Sequence, residues 1–436
     1  MLKRIKVEGY KSLVKLEVEL KPLTVLFGPN AAGKSNFLDA LQLISRLATC
    51  RTIKDAFEAP YRGTPLESFT FGPAGIEDIL QHESAQFTIE VDVELSPAVI
   101  ALVNRQIRDM KQPTDNGDNG SAKPKQSSFI KERYLRYRIT VEILPKIGVL
   151  RVADEYLAAL NHDGEPTGRR KPFIDRPEDR LLLRMEGQAH PTGYDRYLDY
   201  SIISTPLYMP HHPHVVAMRY ELASWYFFYF EPRERMRAAS PVKEIRHIGM
   251  MGENLASFLN TLKALDPKTF KAVQSALHML VPNITEIDVT INNLGEVELR
   301  LREDNRLIPA RVVSEGTLRM LGLLALGGVK DPTALLGFEE PENGIHPQRI
   351  ELVAELLKTR ARIGDTQLIV TTHSPTLLKL IPEESLYNCQ KNDGITTIRP
   401  LNLGGLWKDH DVSSALNTDY CDLTIAEQVM WGILNA

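Results

Sequence analysis

Residues 28–35 read Gly-Pro-Asn-Ala-Ala-Gly-Lys-Ser, which fits GxxxxGK[ST]. The chemistry of that pattern is phosphate capture. A glycine-rich turn lets backbone N–H groups wrap a β-phosphate, and a following helix N-terminus adds a favourable dipole. Gly28, Pro29, Asn30, Ala31, Ala32, Gly33, Lys34, Ser35 and the adjoining Asn36 are the candidate nucleotide-binding residues. Lys34 is placed to reach the β- and γ-phosphate oxygens, and Ser35 to ligate Mg²⁺. An accidental glycine-rich turn is the bland reading. It is set aside by context, because a buried run, Leu23 to Phe27, precedes the motif and a helix-spaced run follows it.

Three further motifs end or open elements. Leu335-Leu-Gly-Phe-Glu-Glu340 is an apolar strand closing in two carboxylates. At the C-terminal edge of a sheet, Glu339 can hold Mg²⁺ through water and Glu340 can polarise an attacking water. Alone, the same pattern is a strand running into an acidic turn. Thr371-Thr-His-Ser-Pro375 closes another apolar run, and at that strand end His373 can donate a hydrogen bond to a γ-phosphate. Val313-Ser-Glu-Gly-Thr317 precedes a helix; Ser314 supplies a hydroxyl and Gly316 a closely approachable backbone, both suited to an anion. Read alone, it is a helix capped by Ser314.

These residues need elements to position them. Leu2 to Glu8 and Val14 to Leu20 alternate as strands, and Lys34 to Ala48 has apolar residues at helical spacing. Phe87 to Leu95 and Tyr134 to Leu144 read as strands. Lys111 to Ser128 is polar and rich in Gly, Pro, Asn and Ser, the composition of a disordered loop. Trp225 to Phe230 reads as a buried aromatic strand, with a base-stacking platform as the other option. From Thr285 three short strands follow (Glu286 to Ile291, Glu296 to Arg302, Arg306 to Val312). Then come a helix Thr317 to Leu326, a strand Ala334 to Phe338, a helix Pro347 to Arg362 and a strand Gln367 to Thr371. Strands alternating with helices imply an α/β fold with a mostly parallel sheet flanked by helices.

Composition narrows the class. In 436 residues, 43% are hydrophobic and 25% charged, the balance of a globular protein. The apolar run Leu321 to Val329 is too short to span a bilayer, and Met1-Leu-Lys-Arg lacks the core of a signal peptide. A cytoplasmic protein with no membrane partner is expected. Cys50, Cys389 and Cys421 form no CxxC pair, so each reads as a small thiol, not a zinc ligand. Net charge is −4, yet residues 101–250 carry 24 Lys+Arg against 19 Asp+Glu, or +5. Lys123, Lys125, Lys131, Arg133, Arg136 and Arg138 supply much of that excess and make DNA a candidate partner. His211-His-Pro-His214 is a weak candidate metal cluster.

The four motifs, in this order, resemble those of the ABC-ATPase superfamily. GPNAAGKS is similar to the Walker A, SEGT to the signature, LLGFEEPENGIHP to the Walker B with its D-loop, and TTHSP to the switch histidine. The EEPE–HP wording and SEGT resemble the overcoming-lysogenization-defect (OLD) group and related SMC/RecF-type ATPases, more than transporter subunits. The resemblance covers about residues 1–50 and 245–390, including Glu253 to Leu259. LSGGQ is reduced here to Ser314-Glu-Gly-Thr, and Glu339 stands where Asp is commoner. A Q-loop glutamine is not securely placed; Gln81 is the candidate. OLD nucleases add a Toprim domain, for which the 63 residues after His373 leave no room; Asp409-His-Asp411 then reads as a surface turn.

The resemblance implies ATP with Mg²⁺ and a head-to-tail homodimer in which Ser314 and Gly316 of one copy cover the γ-phosphate held by the other. It further implies Glu340 and His373 as catalytic residues. Three regions are expected: 1–100, an N-terminal lobe with the Walker A and an antiparallel β subdomain; 101–250, a large mixed insertion; and 251–436, a C-terminal lobe with the remaining motifs. The leading functional expectation is a sensor ATPase of bacterial anti-phage defence, acting with a separately encoded effector such as a nuclease. A RecF-like DNA-repair clamp is the alternative.

Overall fold

The five residues of Leu23–Phe27 are all buried, and this strand lies inside a six-stranded sheet. In the computed structural model its order runs Trp225–Phe228, Leu335–Glu339, Gln367–Thr372, Leu23–Phe27, Leu386–Asn392, Ile395–Pro400. The structure describes residues 1–111, 128–168, 170–187, 190–195, 197–326, 333–364 and 366–401. Residues 112–127 of the polar loop, with Lys123 and Lys125, and Asp409, Asp411 and Cys421 fall outside them.

Four neighbouring strands of this sheet are parallel, with Glu339 opposite Thr371, Thr372 opposite Phe27, and Phe27 opposite Asn388. Parallel strands buried on both faces read as unbroken apolar runs, as Leu23–Phe27 and Gln367–Thr372 do. The register brings three strand ends to one edge: the chain leaves the sheet there at Gly28, Glu340 and His373. The helices Leu255–Leu265, Glu315–Ala325 and Pro347–Ile363 contribute Phe258, Leu318 and Val353 to the same core as Val25, Phe338 and Val370.

The chain divides into two compact units. The one just described comprises Pro22–Ser35, Tyr226–Gln390 and the described residues from Ile398 onward. It also holds a smaller sheet, Ser240–Pro241, Glu296–Glu303 and Ile284–Ile291, on which Arg306–Pro309 pairs. The expected strand to Val312 stops at Pro309, which has no amide to donate, and Ala310–Val312 turns as a 3₁₀ helix.

The other unit, Met1–Lys21, Asn36–Trp225 and Lys391–Thr397, is built on an eight-stranded sheet. Its N-terminal strands Leu2–Tyr10 and Leu13–Glu19 and its insertion strands Tyr134–Leu144 and Val149–Ala159 join one sheet through Ala85–Glu94. These pairs are antiparallel. Strand alternation sends Phe87, Ile89, Val91 and Val93 to the core, 1% exposed or less. The opposite face carries Glu90 and Asp92, set by register beside Arg138 and Arg136.

That register reassigns part of the basic cluster. Arg136 makes a two-pronged contact with Asp92 at 2.7 and 2.8 Å, and Arg138 reaches Asp154 at 3.0 Å. Lys131 and Arg133 stay exposed. The aromatic run is largely committed as well: the strand is Trp225–Phe228, and Phe228 stacks on Phe338 at 5.6 Å in the core, while Tyr229 beyond the strand is exposed. No helix among the described residues is long and apolar enough to cross a membrane.

Candidate active site

The helix Lys34–Thr49 begins directly after the glycine-rich turn, so its unpaired N–H groups open toward the residues of that turn. Ala32 N–H bonds to Pro29 O at 3.2 Å, and Ala31 and Gly33 hold φ of 64° and 98°. Alternating left- and right-handed backbone turns successive N–H groups to one side, a nest for an anion. Lys34 is 6% exposed, and its ammonium donates to Gly28 O at 2.7 Å and Pro29 O at 2.9 Å. Burial lowers its pKa, while Cys389, Glu340, Glu339 and Glu342 oppose that shift. Pro29, Asn30 and Ala31 are exposed, and Ala32 is buried. Asn36, on the first turn of the helix, gives its amide to Ser12 Oγ at 2.7 Å.

The strand Leu335–Glu339 brings its carboxylate to that helix start: Ser35 Oγ donates to Glu339 Oε1. A hydroxyl and a carboxylate converging from distant parts of the chain are the hard oxygen donors that Mg²⁺ takes. Glu340 follows with φ of 49°, a left-handed backbone that a residue with a Cβ holds only under constraint. The constraint is visible. Its N–H donates to Thr371 O at 2.9 Å, and its carboxylate meets His373 Nδ1 at 3.0 Å through Oε1 and Asn343 Nδ2 at 3.4 Å through Oε2. Glu340 and His373 therefore form one pair across the ends of neighbouring strands.

Glu342 is a site residue for which sequence reasoning drew no role. It is 6% exposed, accepts a hydrogen bond from Thr372 Oγ1, and has no partner at Oε2. Thr372 Oγ1 in turn accepts from Ser374 N at 2.9 Å, so Glu342 braces the turn that carries His373. Burial raises the pKa of Glu342. The signal was the last acid of the EEPE run, which spacing alone could not separate from a solvated turn.

Ser314 caps the helix Glu315–Ala325, accepting from Thr317 N at 3.2 Å, and is itself exposed. Gly316 packs on the turn after Glu340: a Cβ there would stand 2.7 Å from Gly344 O. The helix start is ringed by arginines that its motif did not disclose. Arg233 pairs with Glu315 at 2.8 Å, Arg237 donates to Val313 O at 2.7 Å, and Arg319 lies beside Gly344.

Two weaker candidates resolve differently. Gln81 ends the short helix Ile76–Gln81, is exposed, and belongs to the unit built on the eight-stranded sheet. His214 accepts the N–H groups of Lys131 and Glu132 at Nε2 and meets Glu186 at Nδ1, so its ring is spent on structure. No cluster of metal-ligating side chains occurs among the described residues. Cys389 is buried, which pushes its thiol up to about 11, and Cys50 is half-buried.

Residues 1–143 match the family model described as "AAA ATPase domain", and residues 215–379 the model described as "AAA domain, putative AbiEii toxin, Type IV TA system". The chain is an ATPase. Among solved structures this ATPase is similar to an SMC head bound to the C-winged helix domain of ScpA, at 13% identity and a TM-score of 0.50. That match covers 93% of this chain and 99% of that one, and it shows a shared fold. The SMC head domain of Thermotoga maritima (13% identity, TM-score 0.41, 92% and 99% covered) also matches. So does the Pyrococcus furiosus SMC head with an extended coiled coil, bound to the C-terminal domain of ScpA (13%, 0.46, 93% and 98%). No curated protein matches the chain.

Proposed function

We propose that this ATPase is a two-copy switch, closed by ATP and released by hydrolysis, that serves as the sensor of an anti-phage system with a separately encoded effector. The observation that carries the switch is the meeting of Ser35 with Glu339 beside the Glu340–His373 pair, on the sheet edge that opens at Gly28. Lys34 and the backbone of residues 28–35 bind the β- and γ-phosphates, Lys34 exchanging its carbonyl partners for phosphate oxygens. Ser35 and Glu339 would hold Mg²⁺, which draws charge from those oxygens. Glu340 orients the attacking water and takes its proton, and His373 hydrogen-bonds the γ-phosphate. Exposed Ser314 and half-buried Gly316 cover the phosphate bound by a second copy. ATP favours the closed pair through contacts that ADP does not make.

The defence role draws on the toxin–antitoxin wording of one matching family and on the OLD-like motif pattern. The test is phage challenge of cells carrying the gene with its neighbour, as parent and as Lys34→Ala. Protection that depends on both genes and on Lys34 supports the reading; equal plating with and without the gene overturns it. Tight duplex-DNA binding by the purified dimer, without any second protein, would favour the repair clamp instead.

A further inference from the structure

Thr372 ends the strand Gln367–Thr372 at 0% exposure, where a valine would fill the same space without a polar atom. A hydroxyl buried there is costly unless it is hydrogen-bonded. Thr372 uses its hydroxyl twice. Oγ1 donates to Glu342 Oε1 and accepts from Ser374 N–H at 2.9 Å. Ser374 in turn caps the helix Pro375–Leu380, accepting from Leu377 N–H at 3.4 Å. His373 stands between these two anchors. Its backbone is held from both sides, while its side chain stays 50% exposed.

Glu342 is as deeply placed and less satisfied. It is 6% exposed, and its Oε2 has no partner among the described residues. An unmet buried oxygen costs folding free energy, and native chains keep such groups chiefly where function needs them. The turn that carries it is tight: Asn343 N–H donates to Glu340 O and Ile345 N–H to Glu342 O, each at 3.0 Å. Pro341 stiffens the step between the two acids.

The turns that follow the strands Leu335–Glu339 and Gln367–Thr372 are therefore joined twice. Glu340 meets His373 at 3.0 Å on the exposed side, and Glu342 meets Thr372 in the interior. ATP acts differently on the two links. To reach a γ-phosphate, His373 must leave Glu340, and Glu340 must leave His373 to face a water. The exposed link then opens. The buried link has no solvent to compete for its partners, so it persists.

We propose that Glu342 and Thr372 are positioning residues for hydrolysis: their buried bond keeps the turn of His373 in register with the turn of Glu340 after His373 has left Glu340 for the γ-phosphate. The proposal rests on the roles given above to Glu340 and His373. Neither Glu342 nor Thr372 touches the nucleotide; both act through His373.

The test cuts the buried bond from each side. Thr372→Val keeps the shape of the side chain and removes the hydroxyl, Thr372→Ser keeps the hydroxyl, and Glu342→Ala removes the acceptor. Urea melts show that each variant folds, and Glu342→Ala carries the test should Thr372→Val not fold. Thr372→Val and Glu342→Ala should each lower kcat roughly 10- to 100-fold, the scale of an ångström-sized misplacement, with ATP affinity of dilute single copies unchanged. Thr372→Ser should recover turnover. Glu342→Gln keeps the acceptor and should stay near the parent. With labelled histidines, the His373 ring signal of the nucleotide-free chain should shift or broaden in Thr372→Val and return in Thr372→Ser. In a His373→Ala background, Thr372→Val should slow turnover no further, an outcome that a merely structural role does not give. Parent-like turnover in both Thr372→Val and Glu342→Ala, or a Thr372→Val loss that persists in full without His373, overturns the proposal and leaves the role of His373 standing. A Glu342→Gln loss as large as that of Glu340→Gln would make Glu342 a catalytic residue and also overturns it. Parent-like turnover in His373→Ala itself defeats both readings.

Discussion

The carbonyl oxygen of Cys389 fills the space into which a side chain on Gly28 would project. Gly28 also holds φ of 149°. Both facts follow from the parallel pairing of Leu386–Asn392 with Leu23–Phe27, which presses the strand carrying Cys389 against the first residue of the phosphate loop. Gly28→Ala must push backbone against backbone. We expect a loss of about 1–3 kcal/mol in stability, the usual range for overpacking, together with weaker ATP binding. A urea melt and an ATP titration of the purified variant check both; parent-like values in each would show that the two strands separate freely there.

Lys34 is next. Its buried ammonium is held by two loop carbonyls, so its contacts to phosphate are charge-assisted and desolvated. Lys34→Ala should weaken ATP binding by roughly 10- to 100-fold or more, since hydrogen bonds to charged groups are worth about 1.5–3 kcal/mol. Calorimetric titration of variant and parent is the measurement. Equal affinity would remove Lys34 from the site.

A different residue shows where local pattern stops being legible. Strands with unbroken apolar runs, such as Leu23–Phe27, or clean alternation, such as Tyr134–Leu144, can be read from the sequence. Val149–Ala159 carries neither signature, because Asp154 and Glu155 interrupt it. Glu155 is 0% exposed, and its charge is accommodated by the N–H groups of Ile202 and Ile203 and the hydroxyl of Tyr137, partners nearly fifty residues ahead or eighteen behind. The motifs of the site were legible because each joins one strand to one turn. The Glu342–Thr372 brace and the packing of Gly316 on Gly344 were not, because they arise only when separate strand ends meet.

Glu155 carries a pH prediction. Burial raises its pKa from 4.5 to about 7, with the hydrogen bonds from Ile203, Ile202 and Tyr137 opposing. Between those two values the folded chain keeps a proton that the unfolded chain has lost. The stabilising contribution is therefore full below pH 4.5 and is lost as pH rises toward 7. The loss is at most about 3 kcal/mol, because each tenfold gain in proton affinity on folding is worth about 1.4 kcal/mol. Glu155→Gln, which keeps one of the two oxygens that accept from Ile202 and Ile203 and cannot ionise, should flatten that stretch of a stability–pH curve measured by urea unfolding. An equally steep curve in the variant would assign the slope to another group.

The carboxylates at the end of Leu335–Glu339 make the sharpest separation between a working ATPase site and a passive nucleotide pocket. Glu340 faces His373, whereas Glu339 faces Ser35. Glu340→Gln keeps the size of the side chain and its acceptor for His373, but loses its basicity. Capture through Lys34, Ser35 and Glu339 is untouched, so ATP should bind normally. Hydrolysis should fall by roughly 10²–10⁴-fold, the usual contribution of a positioned general base. With binding intact and turnover blocked, the variant should accumulate as an ATP-dependent dimer. Glu339→Gln should differ: with half of the oxygen pair neutralised, Mg²⁺-dependent binding and turnover should both weaken, and no dimer should accumulate. Turnover and solution mass, each with and without ATP, are measured for the parent and both variants. Parent-like turnover in Glu340→Gln would move the catalytic carboxylate elsewhere, and Glu342, buried just beyond it with an unpaired oxygen, would be the first residue to exchange.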